Sequence, residues 1–250
     1  MSKPLFDYAL RLADNALVLG HRLSEWCGHA PVLEEDLALA NLGLDLIGQA
    51  RSLYSYAGDV EGEGRGEDAL AYLRDAGSYR NVLLVEQPNG DFAVTVTRQL
   101  FYAAFAHPYY EALQRSRDAT LAAIAAKSAK ELAYHVRHAA EWVIRLGDGT
   151  ADSHRRAQDA LDTLWPYTGE LFEVDDVEHG LVAAGIAVDP VTVRPSWQRT
   201  VEDVVHEATL ILPRSGWMQT GGRTGRHSEH LGHILSELQF LQRAYPGATW

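Results

Sequence analysis

Apolar residues recur at helical spacing along four long stretches of the chain, separated by polar or glycine-rich breaks. Leu5, Ala9, Leu12, Ala16, Leu19, Leu23 and Trp26 advance by alternating steps of four and three, the mark of a helix with one buried face. This pattern predicts a first helix from Leu5 to Trp26, stopped by Gly28 and Pro31. A second helix is expected from Val32 to Ala57, with Leu39, Leu42, Leu46, Gln49, Leu53 and Tyr56 facing inward. Its first turn carries Glu34, Glu35 and Asp36, which suit the positive end of a helix dipole. A third helix should start near Asp91, and a fourth follows a turn at Arg115 to Asp118 and ends at LGDGT. The fourth stripe runs Leu121, Ala125, Ser128, Leu132, His135, Ala139, Trp142 and Leu146.

The remaining segments are shorter. GDVEGEGRGED reads as a polar loop and is followed by a short helix from Glu67 to Asp75. AGSYRNVLLVEQPNGDF is an irregular crossover, long enough to suggest a role beyond linking. A fifth helix is expected from Ser153 to Phe172, kinked or broken at Pro166. DDVEHGLVAAG and PSWQRTVEDVVHEATL are helical patterns, with IAVDPVTVRP extended between them by its prolines. TGGRTGRHSEHLG leads into a last helix from Ser228 to Ala244, with Ser228 as its N-cap. The expected fold is therefore all-α: one domain over residues 1–250, with a four-helix bundle at 5–147 and accessory C-terminal helices at 150–250.

A four-helix bundle of this kind can hold two metal ions when one pair of helices supplies a Glu each and the other pair a Glu-x-x-His each. Here the inward i, i+3 pairs are Leu46 with Gln49 and Leu132 with His135. Glu131 sits beside its stripe, Asp7 and Asp14 lie off the first stripe, and the third helix has no acid between Asp91 and Glu111. Without those oxygen ligands a hard two-metal site cannot be assembled, so no metal and no catalytic residue is assigned to this chain. Gln49 and His135 read as buried polar groups that bond each other or a water.

A formal charge of −12 argues against a nucleic-acid or membrane-surface role. The single cysteine, Cys27, excludes an internal disulfide, fits a reducing cytoplasm and is expected to be a buried thiol. With neither a long apolar span nor a signal-peptide core, the expectation is a cytoplasmic protein. Arg223 and Arg226 among glycines could bind phosphate, but a flexible lead-in to the last helix is the preferred reading, since the segment matches no full Walker A pattern. His227, His230 and His233 share i, i+3 spacing but lack the Cys or acid partners of a metal site. No G-x-S-x-G and no nucleophilic cysteine signature is present.

The segments RLADNALVLGHRLSEWCGHAP, DLALANLGLDLIGQARSLYSY, LLVEQPNGDF, KELAYH and TGGRTGRHSEHLG together resemble the ferritin-like, non-catalytic subunits of phenylacetyl-CoA epoxidase. The likeness runs from the first helix to the terminal YPGATW. It implies a ferritin-like bundle that pairs with a di-iron catalytic subunit and a small accessory subunit. It further implies an iron-sulfur flavoprotein reductase fed by NADPH, and phenylacetyl-CoA as the substrate of the assembly. By that resemblance Ala16, Leu46, Gln49, Leu132 and His135 occupy vestigial metal positions. It also places Ser78, Tyr79, Arg80 and Asn81, together with His179, Gly180 and Leu181, toward the CoA ester. Chemistry agrees for the first group, since Arg80 can pair with phosphate, Tyr79 can pack on adenine, and Ser78 and Asn81 can hydrogen-bond. A competing reading is an independent di-iron or di-manganese oxygenase that uses displaced acids such as Glu131, Asp14 and Asp45. A ferritin-like store is disfavoured by the missing carboxylates.

Overall fold

The computed structural model describes residues 2–214 and 216–248, with only the backbone of Ser2; Met1 and the closing Thr249 and Trp250 of YPGATW lie outside the described residues. In chain order the helices are α1 (Ser2–Ser24), α2 (Leu33–Glu61), α3 (Glu67–Tyr72), α4 (Leu83–Glu86), α5 (Phe92–Leu113), α6 (Ala119–Gly147), α7 (Ala151–Leu164), α8 (Asp176–Ala183), α9 (Arg194–Glu207), α10 (Glu229–Leu238) and α11 (Phe240–Ala244). No strand occurs among the described residues, so the protein is all-α. The chain forms two compact units: Met1–His29, Glu34–Pro88 and Gly221–Trp250 make the first, and Ala30–Leu33 and Asn89–Thr220 the second.

In the first unit α1 is buried all round from Tyr8 to Gly20, although its sequence stripe marks only one face. The reason is the crossover, which covers the other side of α1. Asn15 Oδ1 accepts from the Val82 backbone N–H at 2.8 Å, and Asp14 Oδ2 from that of Arg80 at 2.7 Å. The α1–α2 contact is close because it is made by glycines. A Cβ added to Gly20 would sit 3.2 Å from the Gly43 carbonyl and 3.3 Å from Leu46 Cβ. In α2 the inward residues Leu39, Leu42, Leu46, Gln49 and Leu53 are buried as expected, whereas at the C-terminal end Tyr54 is the buried tyrosine and Tyr56 only half-buried. Tyr54 turns toward α1 because its hydroxyl finds the Asp14 carboxylate at 2.5 Å.

In the second unit α5 and α6 are joined by a short turn and pack along each other, with α7 and α9 against α5. Both long helices start at an aspartate: Asp91 Oδ1 accepts from Val94 N at 3.1 Å, and Asp118 Oδ1 from Leu121 N at 2.9 Å. Thr150 and Ser153 form a capping box that starts α7. Pro166 ends α7 at Leu164 and turns the chain into a 3-10 segment, Trp165–Tyr167, as the sequence pattern indicates. Trp165 and Trp197 gather on Phe101, Phe172 packs on Trp197, and Trp197 Nε1 donates to the Phe101 carbonyl at 2.9 Å. This aromatic cluster fixes α9 against α5.

Several local expectations are corrected. Cys27 is exposed, because α1 ends at Ser24 and Cys27 falls in the turn beyond it, its N–H bonded to the Ser24 carbonyl at 3.1 Å. IAVDPVTVRP is not extended throughout: Asp189 caps a 3-10 turn, Pro190–Val193, which runs straight into α9 with Pro195 in its first turn. Proline fits a helix start because it lacks only an N–H that would be unpaired there. The last helix breaks at Gln239, whose side chain is buried and donates to the carbonyls of Ala71 and Arg74. Ser228 stands at the N-cap position of α10 without a side-chain capping bond.

Candidate functional site

The five positions that the stripes and the resemblance mark as vestigial metal positions are all buried. In the first unit these are Ala16 and Leu46, both fully buried, and Gln49. In the second unit Leu132 and His135 project inward from α6, also fully buried. One further residue belongs with them. Gln99 on α5 is buried, and its Nε2 lies 3.1 Å from His135 Nδ1. A reading of the sequence restricted to carboxylates passes over Gln99, although an amide is the same shape as the Glu that a lone-ligand helix would supply. Taken unit by unit, neither set of donors fits two metal ions. Ala16, Leu46 and Leu132 carry no donor atom, and the amides of Gln49 and Gln99 bring no negative charge to offset a hard dication. Among the described residues no three His, Cys, Asp or Glu side chains come together in a way that could hold a metal ion.

The displaced acids of the competing reading are engaged otherwise. Glu131 pairs with Lys127 at 3.5 Å on α6. Asp14, fully buried, is the centre of a charged network: Arg74 Nη1 donates to its Oδ2 at 3.1 Å, Arg74 Nη2 to its Oδ1, and Tyr54 completes the set. Burial, then the Asp14 charge, pushes the Tyr54 phenol well above its ordinary pKa, so it stays a donor. To ligate a metal, Asp14 would have to give up a buried guanidinium.

The crossover is built on this network. Arg74 Nη1 also donates to the Ser78 carbonyl at 3.0 Å, and the Arg74 guanidinium lies 4.2 Å from the Tyr79 ring centroid. Tyr79 is fully buried; its hydroxyl donates to the Ala71 carbonyl and accepts from Gln239 Nε2 at 3.2 Å. In this chain its ring is therefore covered by Arg74. Ser78 is exposed, and Asn81 is buried with its Nδ2 on Glu86 Oε2 at 3.0 Å. Arg80 is half-buried: its Nη1 donates to the carbonyls of Gly77 (2.8 Å) and Tyr79 (2.6 Å), while no described group bonds its Nε or Nη2. Of the four crossover candidates, Arg80 and Ser78 present polar groups outward, and Tyr79 and Asn81 support them from within.

The second candidate segment belongs to the other compact unit. Asp175 caps α8, where His179 and Gly180 are exposed and Leu181 is buried. His179 Nδ1 lies 3.9 Å from Asp176 Oδ1, and no side chain comes within contact of Gly180.

The glycines and histidine of TGGRTGRHSEHLG have structural partners that sequence alone did not reveal. A Cβ on Gly222 would run into the Asn81 carbonyl, and one on Gly225 into the Gly77 carbonyl. The glycines thus let this loop lie directly on the crossover, which accounts for them without a phosphate. Glu86, fully buried, accepts from the Ser228 N–H at 2.7 Å and pairs with His227 Nδ1 at 2.8 Å. His227 Nε2 reaches the Tyr79 carbonyl at 3.0 Å.

The chain is an all-α scaffold, and its match to known proteins gives that scaffold a class. The chain belongs to the family of phenylacetic acid catabolic proteins, whose model matches residues 1–250. Within it, the chain is similar to the component designated C in the 1,2-phenylacetyl-CoA epoxidase of Escherichia coli (strain K12), at 52% identity over 246 residues, 98% of this chain and 99% of that protein. The ferritin-like fold is consistent with that family. Among the described residues no helix is long and apolar enough to cross a membrane.

Proposed function

We propose that this chain is a non-catalytic subunit of a phenylacetyl-CoA epoxidase, supporting a di-iron catalytic partner and lining part of the CoA-ester pocket. The observation that carries the reading is the pairing of close similarity to an epoxidase subunit with apolar side chains at Ala16, Leu46 and Leu132. A scaffold that keeps its buried faces but not its ligands retains value through the surface by which it pairs. Leu37 and Leu44, one face of α2 at seven-residue spacing, are 59% and 65% exposed and are candidates for that surface. The assembly would include a small accessory subunit and a flavin and iron-sulfur reductase using NADPH. Iron would supply oxygen activation in the partner, and this chain would contribute binding and orientation. In the pocket Arg80 would meet an anionic group of the CoA ester through its unbonded Nε and Nη2 edge, with Ser78 beside it. His179 and Gly180 would offer a second, exposed contact.

Co-expression tests this reading. The chain purified alone should hold no stoichiometric iron after anaerobic loading and should show no oxygenase activity. The catalytic partner should be soluble, metallated and active with its reductase only when this chain is present. A partner equally soluble and active without it would remove the support role, and two tightly bound irons per chain would restore the competing oxygenase reading.

A further inference from the structure

Glu86 is a buried carboxylate that joins three parts of the chain distant in sequence. Its Oε2 takes Asn81 Nδ2 from the crossover and His227 Nδ1 from the C-terminal loop, its Oε1 takes the Ser228 N–H, and its backbone carbonyl takes Arg22 Nη2 of α1 at 2.8 Å. His227 in turn spans two acceptors, Glu86 and the Tyr79 carbonyl. That same carbonyl holds Arg80 Nη1 at 2.6 Å. Arg80 is also walled by the loop, since a Cβ on Gly225 would lie 2.7 Å from its Nη1. The loop that His227 anchors therefore forms one side of the slot in which the Arg80 guanidinium lies.

We propose that His227, clasped to Glu86 and to the Tyr79 carbonyl, is a positioning residue that seats the 221–228 loop on the crossover and fixes the orientation of Arg80. The ligand consequence rests on the pocket reading above; the seating itself does not. The clasp requires two N–H donors when Glu86 is ionised, because Nδ1 faces a carboxylate and Nε2 a carbonyl, and a carbonyl can only accept. A singly protonated imidazole beside an ionised Glu86 satisfies one contact and sets a lone pair against the other. Burial alone would lower the His227 pKa, but the hydrogen bonds to Glu86 and to the Tyr79 carbonyl, together with the Glu86 and Asp14 charges, raise it above the ordinary histidine value. The charged groups bearing on it are Glu86 from α4, Asp14 from α1, which Arg74 partly offsets, Arg80 on the shared carbonyl, and Arg22 behind the Glu86 peptide. A raised histidine pKa means that the clasp is complete below the ordinary histidine range and is lost as pH rises through the folded-state value, on the alkaline side.

The test compares wild type, His227→Phe, His227→Gln, Arg80→Ala and His227→Phe/Arg80→Ala, with hydrogen exchange read on the full chain and phenylacetyl-CoA kinetics on the assembled complex. In His227→Phe the amides of 77–81 and 222–228 should exchange about tenfold faster while those of α5 and α6 are unchanged. His227→Gln keeps one donor and should fall between. In the wild type, after correction for intrinsic rates, protection of the loop should fall as pH rises beyond the ordinary histidine range, and in His227→Phe it should not. In the complex, His227→Phe should raise the KM for phenylacetyl-CoA about fivefold with kcat retained, by lowering the fraction of protein whose Arg80 is in place. It should add nothing in the Arg80→Ala background. Unchanged exchange in His227→Phe, or an additive effect with Arg80→Ala, overturns the positioning role. If Arg80→Ala alone leaves KM unchanged, the pocket reading fails, and the exchange data still decide whether His227 seats the loop.

Discussion

The interior of the first unit holds Asp14 and Glu86 as fully buried carboxylates, while its inward stripe positions Ala16, Leu46 and Gln49 carry none; the second unit, which buries Glu170 and Glu178 elsewhere, has Leu132 on the α6 stripe and sets the neutral Gln99 against His135. The difference shows where this protein tolerates buried charge. A carboxylate survives where several donors surround it, as Arg74, Tyr54 and the Arg80 amide surround Asp14. At Ala16, Leu46, Gln49, Gln99 and Leu132 the interior side chains are instead apolar or amide. A carboxylate placed at one of those positions without such donors would be an unpaired charge in low dielectric, which is costly.

The sharpest way to break this comparison is to make Asp14 resemble the ligand positions. Asp14→Asn leaves the Arg74 guanidinium buried beside a neutral amide, and both side chains are nearly inaccessible, 0% and 6% exposed. A loss of about 3 to 5 kcal/mol in urea unfolding is expected, since one partner of a buried pair has been removed. Asp14→Asn with Arg74→Met should lose less than the two single changes together. Equal destabilisation by Asp14→Asn and by a surface substitution would show that the network is not held by its charge.

In the second unit Gln99→Leu takes away one partner of His135 Nδ1, and a cost of about 1 to 3 kcal/mol is expected from an unpaired buried group. His135→Leu should behave similarly, and the double change should cost less than the sum. Strict additivity in a denaturation cycle would mean that the 3.1 Å contact carries no coupling.

How much of this was legible beforehand depends on sequence range. The stripes of α2 and α6 identified the buried faces as far as Leu53 and Ala139, because helical periodicity is a local property, but beyond them Tyr54 rather than Tyr56 and Val143 rather than Trp142 are buried; Asp91, Asp118 and Pro166 marked boundaries of α5, α6 and α7 for the same local reason. The charged interior was not legible. Asp14 meets Arg74 sixty positions away, and Glu86 meets His227 at a separation of 141, so neither pair has a spacing to read. The Gly-rich loop invited a phosphate interpretation because glycine reports close backbone approach without saying what approaches. Here the crossover approaches it, as the crowding at Gly222 and Gly225 shows. Cys27 was misjudged because burial preference is an average over residue types, while its position past the end of α1 sets its exposure.

The smallest expected effect provides the control for the largest. At the start of α7, Arg155 Nη2 lies 2.7 Å from Asp152 and Arg156 Nε 2.8 Å from the same carboxylate, so an arginine–aspartate pair as close as that of Asp14 exists at the surface. Hydrogen bonds from Arg155 and Arg156 hold the Asp152 carboxyl below its ordinary pKa, a contribution that exists above the unfolded-state value and disappears as pH falls through the folded-state one. Yet both Asp152 and Arg155 are about 60% exposed, where water and salt screen the attraction and side-chain ordering opposes it. Arg155→Ala should therefore leave the urea midpoint at neutral pH within measurement error, and any residual shift should vanish in high salt. If Arg155→Ala instead destabilised the protein as much as Asp14→Asn, burial would not be what distinguishes the two pairs. The contrast between the buried carboxylates and the neutral stripe positions would then need a cause other than desolvation.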